Sequence, residues 1–238
     1  MSPLFFEAFW PLLALALAGI VVVRMQPRRF YLVRHGETKN NAAHIRQGED
    51  GALSEKGRAQ AERVGEALAR HSIGRILTST YPRARETADI INRRLAVPII
   101  ASALLVERRN PSAIIGKKTD DPEVIRIVDQ MDNAYHDDAY RVADEENFLD
   151  LKQRAKKALS LLARQGARET AVVTHHHFLK MLVAYLLYRK RLHAADFAKL
   201  AFFNVSDNAG ITIIEFHPWK MWNATRGFEV VSYNEQPG

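Results

Sequence analysis

The chain has 238 residues, of which 47% are apolar and 26% are charged, so it is long enough to bury a core and unlike a disordered chain. It contains no cysteine, which excludes a disulfide framework, a cysteine nucleophile and cysteine-ligated zinc or iron–sulfur clusters. The formal net charge of +7 favours anionic partners. Because no basic tail or basic–aromatic repeat is present, we do not expect nucleic acid to be one of them.

An apolar segment opens the chain. Between Pro3 and Val23 the one charged residue is Glu7, and a helix of these 21 residues would span roughly 31 Å, about the hydrocarbon thickness of a bilayer. A buried core helix should have a polar face, and a signal peptide should have Lys or Arg before its apolar part; this segment has neither. We therefore predict an uncleaved transmembrane anchor at residues 1–26 and a catalytic domain at residues 27–238. Cleavage as a signal peptide is the alternative, since small residues near Ala16 resemble a cleavage site.

Positive charge follows this segment at once. The residues concerned are Arg24, Arg28 and Arg29. Because basic residues flank membrane spans on the cytoplasmic side, they predict a single-pass membrane protein whose catalytic domain lies in the cytoplasm.

The rest of the chain alternates short apolar strands with amphipathic helices. Strands are predicted at Phe30–Val33, Arg75–Thr78, Val97–Ala101, Thr170–Thr174, Ile211–Phe216 and Phe228–Tyr233. Helices are predicted at Leu53–Arg70, Arg83–Leu95, Asp121–Tyr135, Glu146–Arg164 and Phe178–Tyr188. This order predicts an α/β fold, a three-layer α/β/α sandwich around a mostly parallel sheet.

The first strand ends in residues suited to phosphate chemistry. Arg34, His35 and Gly36 follow it directly, at the strand end where open α/β sheets bind ligands. Arginine binds phosphate oxygens in a fork, glycine permits close backbone approach, and neutral imidazole can attack phosphorus. An Arg-His-Gly tripeptide is weak evidence by itself.

Further motifs follow in order. They are Asn41 with Gln47-Gly48, the stretch Leu53–Ala61, the stretch Thr78–Ala88, Leu105–Arg108 and Val172–His175. With these motifs the sequence resembles the histidine phosphatase superfamily, which has the phosphoglycerate-mutase-like fold. The resemblance extends from about Phe30 to Phe216, nearly the whole predicted domain.

The resemblance implies a role for each matching residue. It makes His35 the nucleophile that accepts the phosphoryl group, and His175 a second histidine that stabilises the group in transit. Glu107 matches the general acid that protonates the leaving oxygen and later helps to activate water. The phosphate-binding residues that it implies are Arg34, Arg83 and Asn41. It implies no cofactor and no metal, since two arginines and a second histidine supply the positive charge that phosphoryl transfer requires.

Some assignments have alternatives. Helical periodicity does not distinguish Arg83 from Arg85, and motif spacing favours Arg83. Glu107 has the alternative of a surface ion pair with Arg108 or Arg109.

The family pattern is broken at one position. Glycine usually follows the second histidine of the family, and here His176 and then His177 follow His175. This substitution predicts a narrower pocket, an altered backbone approach or an added hydrogen-bond donor. A metal site on the triplet is the less favoured reading, because adjacent residues rarely bind one ion.

Three functions fit these observations. The first is a metal-independent phosphatase that hydrolyses a phosphomonoester, with a phosphorylated small molecule or a phosphoprotein as substrate. The second is phosphoglycerate mutase-type phosphoryl transfer, which the stretch after Glu107 and a membrane anchor both disfavour. The third is a membrane-tethered binding module without turnover, which is disfavoured because every implied catalytic side chain is present.

Overall fold

The structure is a computed structural model that describes residues 13, 25–133, 136–203, 206–223 and 225–237. The strands are β1 Arg28–Arg34, β2 Ile73–Ser79, β3 Ile99–Ser102, β4 Glu169–Thr174, β5 Ile211–Phe216 and β6 Phe228–Glu235. The α-helices are α1 Lys39–Ala42, α2 Glu55–Leu68, α3 Pro82–Leu95, α4 Pro122–Asp132, α5 Phe148–Ala163, α6 His176–Tyr188 and α7 Ala194–Phe203. Short 3₁₀ turns lie at 103–105, 112–114, 189–191 and 218–220.

The six strands form one mixed sheet in the order β3-β2-β4-β1-β5-β6. Strands β3, β2, β4 and β1 are parallel, whereas β5 is antiparallel to both β1 and β6. The α/β prediction is confirmed, and the antiparallel β5–β6 pair at one edge makes the sheet mixed. The parallel strands all end at the same edge of the sheet, which we call the catalytic edge.

Side chains that alternate along β1 pack into two separate cores. Phe30 and Leu32 belong to the core that contains α5 and α6 residues, whereas Tyr31 and Val33 belong to the core that contains α2 and α3 residues. Because successive strand residues point to opposite faces, a strand buried on both faces is apolar at every position. The helices therefore cover the sheet on both sides, and β1 is fixed between them.

Most predicted elements occur within a few residues of their predicted bounds. The helix predicted from Phe178 begins at His176, and the one predicted to reach Tyr135 ends at Asp132. Helices α1 and α7 were not predicted. Helix α7 packs on α6, and its residue Phe197 is buried.

The predicted anchor, residues 1–26, lies outside the described residues except for residues 13, 25 and 26. Within the described part of the chain, no helix combines the length and the apolar character needed to cross a membrane.

Candidate active site

Three strand ends meet at the catalytic edge. Strand β4 is hydrogen-bonded in parallel to β1 on one side and to β2 on the other, with Arg34 opposite Thr174 and Thr78 opposite Val173. The residues that follow these strands are therefore neighbours in space. His35 follows β1 and His175 follows β4, and their ring centroids are 5.0 Å apart.

His35 is held as the tautomer that can attack phosphorus. It is 4% exposed, and its Nδ1–H donates to the carbonyl of Gly36 at 2.7 Å. Because a carbonyl oxygen only accepts, the proton is on Nδ1 and the Nε2 atom carries a lone pair. Burial, with the positive charge of Arg83 and Arg34 and the neighbouring His175, lowers the pKa of His35 well below 6.5. The imidazole is therefore neutral at physiological pH.

The backbone on either side of His35 is tightly fixed. Its N–H donates to the carbonyl of Thr174 at 2.9 Å, and its carbonyl accepts from Asn208 Nδ2 at 3.0 Å. A Cβ on Gly36 would lie 2.4 Å from the carbonyl oxygen of Gly57, at the start of α2. Gly36 is therefore required for the close contact with α2. From the sequence we expected it to allow the backbone to approach the phosphate.

Two arginines lie beside His35, of which Arg83 is buried and Arg34 is half-buried. Arg83 is 2% exposed, and its Nη1 donates to the carbonyls of Gly48 and Glu49 at 3.0 and 2.9 Å. Its guanidinium also lies over the ring of Tyr81, 5.0 Å from the centroid. Arg34 donates from Nη1 to the carbonyl of Ser206. Of the two α3 arginines considered from the sequence, the structure places Arg83 in the site and leaves Arg85 exposed.

His175 is fully buried and is oriented by a serine. The Ser79 hydroxyl accepts from the N–H of Tyr81 at 3.2 Å and lies 2.7 Å from His175 Nε2, so we assign its proton to that nitrogen. His175 then carries its own proton on Nδ1. Burial, followed by the charge of Arg83, lowers the pKa of His175 to about 3, so the ring is neutral.

Three buried N–H groups at this site have no hydrogen-bond partner among the described residues. They are Arg34 Nε, Arg83 Nε and His175 Nδ1. The proton on His175 Nδ1 follows from the tautomer assigned above. An unsatisfied buried donor costs about 1–3 kcal/mol, so a ligand that accepts from all three groups recovers this cost. Three donors beside a nucleophilic imidazole match the equatorial oxygens of a phosphoryl group, each of which accepts hydrogen bonds.

Glu107 is held by backbone N–H groups. Its carboxylate accepts from the N–H groups of His177 at 3.2 Å and Phe178 at 3.0 Å, in the first turn of α6, and from that of Arg108 at 2.8 Å. Burial favours the neutral carboxyl, but the neighbouring histidines and these donors outweigh it, and the pKa of Glu107 falls below its usual range. The alternative of a surface ion pair is wrong for the described residues, since Arg108 pairs with Glu145 instead.

The three consecutive histidines point to different partners. His175 faces Ser79, whereas His176 donates from Nδ1 to the carbonyl of Ser206 at 3.1 Å. Burial lowers the pKa of His176 to about 4, so at neutral pH its Nε2 atom is an acceptor rather than a donor. Among the described residues, no group of three metal-binding side chains is close enough to hold an ion.

Asn41 lines the same cleft as Arg34, His35, Arg83 and Glu107. Its Oδ1 accepts from the N–H of Thr38 at 3.2 Å and its own N–H donates to Thr38 Oγ1, which caps α1. Because the amide oxygen is used in the cap, Asn41 is left with Nδ2 as the group to present to a ligand. The cleft has a volume of about 250 Å³.

Sequence reasoning missed the residues that orient the predicted ones. Ser79, Ser206 and Asn208 bond to His175, Arg34 and His35. Ser79 lies in the motif Thr78–Ala88, directly after a predicted strand. That position was the one sequence feature that could have indicated its role. No comparable motif marks Ser206 or Asn208, which precede β5.

Comparison with known proteins gives one consistent result. The family model of the histidine phosphatase superfamily (branch 1) matches residues 30–227. A relative named "Probable phosphoglycerate mutase GpmB", from Erwinia tasmaniensis, is 33% identical over 165 residues, which are 66% of this chain and 74% of that protein.

Solved structures agree in fold. YhfR of Bacillus stearothermophilus aligns with a TM-score of 0.70 at 30% identity, over 87% of this chain and 97% of that one. A putative alpha-ribazole-5'-P phosphatase from Escherichia coli aligns with a TM-score of 0.70 at 21% identity, over 89% of this chain and 99% of that one. The chain belongs to the histidine phosphatase superfamily, branch 1, and is an enzyme of phosphohistidine-mediated phosphoryl transfer or hydrolysis.

Proposed function

We propose that the chain is a metal-independent phosphomonoester hydrolase that forms a phosphohistidine at His35. The observation that carries this proposal is the set of unpartnered donors on Arg34, Arg83 and His175 around a neutral imidazole. These groups hold a phosphoryl group by hydrogen bonds and positive charge. No further group is needed to stabilise the charge that spreads over its oxygens.

In the first half of the reaction, the lone pair of His35 Nε2 forms a bond to phosphorus while the bond to the ester oxygen breaks. Glu107 gives its proton to that leaving oxygen. In the free protein Glu107 is ionised, as its lowered pKa requires. The negative charge of a bound phosphate ester raises this pKa, since a like charge disfavours the carboxylate. The proposed mechanism therefore requires that Glu107 takes up a proton, from the ester monoanion or from water, as the substrate binds.

In the second half, water attacks the phosphohistidine. Glu107, now a carboxylate, takes a proton from the water as the bond between phosphorus and Nε2 breaks. His35 leaves as the neutral imidazole, and the hydrogen bond from Nδ1 to Gly36 keeps the same tautomer for the next cycle. Inorganic phosphate is the product that remains between the two arginines.

The shape of the cleft favours a phosphorylated small molecule over a phosphoprotein. The cleft at His35 has a volume of about 250 Å³, and an adjoining cleft of about 800 Å³ shares Arg46 and Arg108 with it. Asn110 lines both clefts, and Ser112 lines the adjoining one. A small phosphate ester fits this arrangement, with its non-reacting part in the adjoining cleft.

Mutase-type transfer is the second candidate, because curated relatives about one third identical carry that name. A mutase returns the phosphoryl group from His35 to the substrate, whereas a phosphatase passes it to water. Incubation of labelled phosphoglycerate with the enzyme and bisphosphoglycerate separates the two outcomes. Label released as inorganic phosphate supports hydrolysis, and label retained in an isomerised phosphoglycerate supports the mutase.

The apolar segment of residues 3–23 supports the further proposal that the enzyme is tethered to a membrane with its domain in the cytoplasm. Full-length protein should then resist carbonate extraction, and in spheroplasts its domain should be protected from added protease. A soluble mature form beginning near Gly19 would show cleavage instead.

The main experiment is a rapid quench with a substrate labelled in its phosphoryl group. We expect acid-labile, base-stable label on His35 that turns over to inorganic phosphate, and activity that survives chelators. The substrate is sought with a panel of phosphorylated metabolites and phosphopeptides. Reversible loss of activity in EDTA would contradict the metal-independent mechanism.

A further inference from the structure

The end of the sheet opposite the catalytic edge has an unusual surface. There the N-terminus of β1 pairs with the end of β5, with Arg28 opposite Phe216, and the turn between β5 and β6 follows. We call the residues 25–29, 164–169 and 217–227 the basal surface; residue 224 within it is outside the described part of the chain.

Large apolar side chains project from the basal surface into solvent. Trp222 is 85% exposed, Met221 50% and Met25 42%. Among the described residues of the turn that carries Trp222 and Met221, Asn223 Oδ1 accepts from the N–H of Gly227 at 2.9 Å. Large apolar side chains exposed together on one surface are a feature of interaction surfaces.

The same surface is rich in arginine. Arg164, Arg168 and Arg226 are exposed and form no ion pair with another described residue. A cleft of about 470 Å³ at the basal ends of β1 and β4 is lined by Arg28, Arg29 and Arg168 together with Glu169 and Glu215, and Arg29 pairs with Glu215. Tryptophan beside arginine is the composition of surfaces that lie in the headgroup layer of an anionic bilayer.

Part of the basal surface directly follows the apolar segment in the sequence, and this indicates that its partner is the membrane. Met25 is the second residue after the apolar segment 3–23, and β1 begins three residues later. A membrane span at this segment places its end beside β1, and therefore beside the turn with Trp222. No other end of the sheet is brought to the membrane by so short a connection.

We propose that the basal surface rests on the anionic bilayer, with Trp222 and Met221 in the headgroup layer. This inference rests on the membrane tether of the proposed function. It also sets the orientation of the enzyme, because β1 runs from the basal surface to the catalytic edge. At about 3.3 Å per residue, its seven residues place His35 roughly 20 Å above the bilayer. The cleft then takes its substrate from water rather than from the membrane beneath it.

The absence of cysteine makes a direct test possible. Full-length protein with Met221→Cys is labelled with an environment-sensitive fluorophore and reconstituted into vesicles of phosphatidylglycerol and phosphatidylcholine. Ile125→Cys is the matched control, because Ile125 is 47% exposed and lies on α4, in the segment beyond the catalytic edge. We expect a blue-shifted emission and strong quenching by brominated lipid at position 221, and neither at position 125.

Other outcomes overturn the proposal in distinguishable ways. If the protein sediments with the vesicles but position 221 reports water, the tether stands and the docking surface is wrong. If the protein does not sediment with vesicles, both are wrong, whatever its phosphatase activity. If position 221 is shielded equally without vesicles, the surface is covered by a protein partner or a second copy. Arg168→Glu with Arg226→Glu should weaken the quenching on these vesicles and leave it unchanged on phosphatidylcholine alone.

Discussion

The catalytic edge and the segment that covers it, residues 108–147, are held together by different forces. At the edge, backbone pairing of β1, β4 and β2 fixes the positions of His35 and His175. Among its described residues, the covering segment has one small apolar cluster of its own. Backbone hydrogen bonds attach its residues 116–119 to the loop at residues 44–46, and side-chain bonds attach Arg141 to Asp150 and Glu146 to Arg154. Strand register within the sheet places the reacting groups rigidly, whereas these loop contacts and ion pairs leave the cover freer to vary with the substrate.

The largest effect on activity is expected from a substitution at the catalytic edge, at His35. We expect His35→Ala to lower kcat by several orders of magnitude and to abolish the phosphohistidine label, because it removes the lone pair of Nε2 that attacks phosphorus. His193→Ala is the control, since His193 is exposed and pairs with Asp138 away from the cleft. Steady-state turnover and quenched labelling measure both effects. Substantial remaining turnover in His35→Ala would show that a different nucleophile operates.

The next largest effect is expected at Glu107. Glu107→Gln keeps the shape of the side chain but removes the proton donor, and general acid catalysis is typically worth 10²–10⁴-fold. The loss should be large for alkyl phosphates and small for p-nitrophenyl phosphate, whose leaving group needs little protonation. A series of leaving groups measures this dependence. An equal loss for every leaving group would assign Glu107 to a structural role.

Arg154 connects the catalytic edge to the covering segment. No motif or periodicity in the sequence indicated this role. Its guanidinium donates to the carbonyl of Val106 at 2.6 Å and to Glu146 Oε1 at 2.6 Å, and it lies 4.2 Å from the centroid of the Phe178 ring. It therefore joins the loop of Glu107 to the helix whose N–H groups bind Glu107. We assign it as a positioning residue.

Arg154→Lys keeps the charge but loses the planar fork that makes these bonds simultaneously. We expect kcat to fall about tenfold, a loss of about 1.4 kcal/mol in transition-state stabilisation, with little change in KM. The loss should again be greatest for poor leaving groups, because Glu107 is displaced. Arg126→Lys on α4 is the control. A parallel drop in thermal stability with no dependence on the leaving group would contradict the assignment.

These residues show where sequence reasoning succeeds. Arg34, His35 and His175 follow buried apolar strands, and the pairing of those strands brings them together without further information. Ser79 and Asn208 were not assigned, because their partners His175 and His35 are 96 and 173 positions away. Arg154 was not assigned, because its bonds depend on side-chain orientation. It lies on a helix whose apolar repeat predicts one buried face, and a half-buried arginine beside that face gives no periodic signal. Helix α7 was missed because its sequence follows a run of basic residues and has no clear polar face.

The acid stability of the protein should reflect the buried histidines of the catalytic edge. Burial lowers the pKa of both His175 and His177 to about 3 and that of His176 to about 4, against an ordinary value of 6.5. Between these values the unfolded chain binds protons that the folded chain does not. The contribution of these histidines to stability is therefore complete above pH 6.5 and is lost progressively as the pH falls from 6.5 toward 3.

Each such histidine contributes at most about 1.4 kcal/mol per pH unit. We expect urea unfolding to show a lower free energy at pH 5 than at pH 7. His176→Gly should reduce this difference by up to about a quarter, since His176 is one of four histidines of the site with a lowered pKa. If the difference in unfolding free energy between pH 5 and pH 7 is the same in His176→Gly, then His176 is protonated equally in the folded and unfolded chains.

The smallest effect on the kinetic constants is expected when a contact that attaches the covering segment is removed. Arg141 and Asp150 pair at 2.7 Å, and both side chains are 42% exposed. Exposed pairs of this kind contribute about 0–1 kcal/mol, because solvent screens the charges and two flexible side chains must be ordered. Arg141→Ala also removes the bond from Nη1 to the carbonyl of Glu145, whose carboxylate holds Arg108 at the cleft. We therefore expect a KM raised a few-fold with kcat unchanged, measured on the best substrate of the panel. Arg126→Ala, on the exposed face of α4, should change neither constant, and a fall in kcat in Arg141→Ala would show that the covering segment is coupled to the chemistry at His35 as rigidly as the strands are.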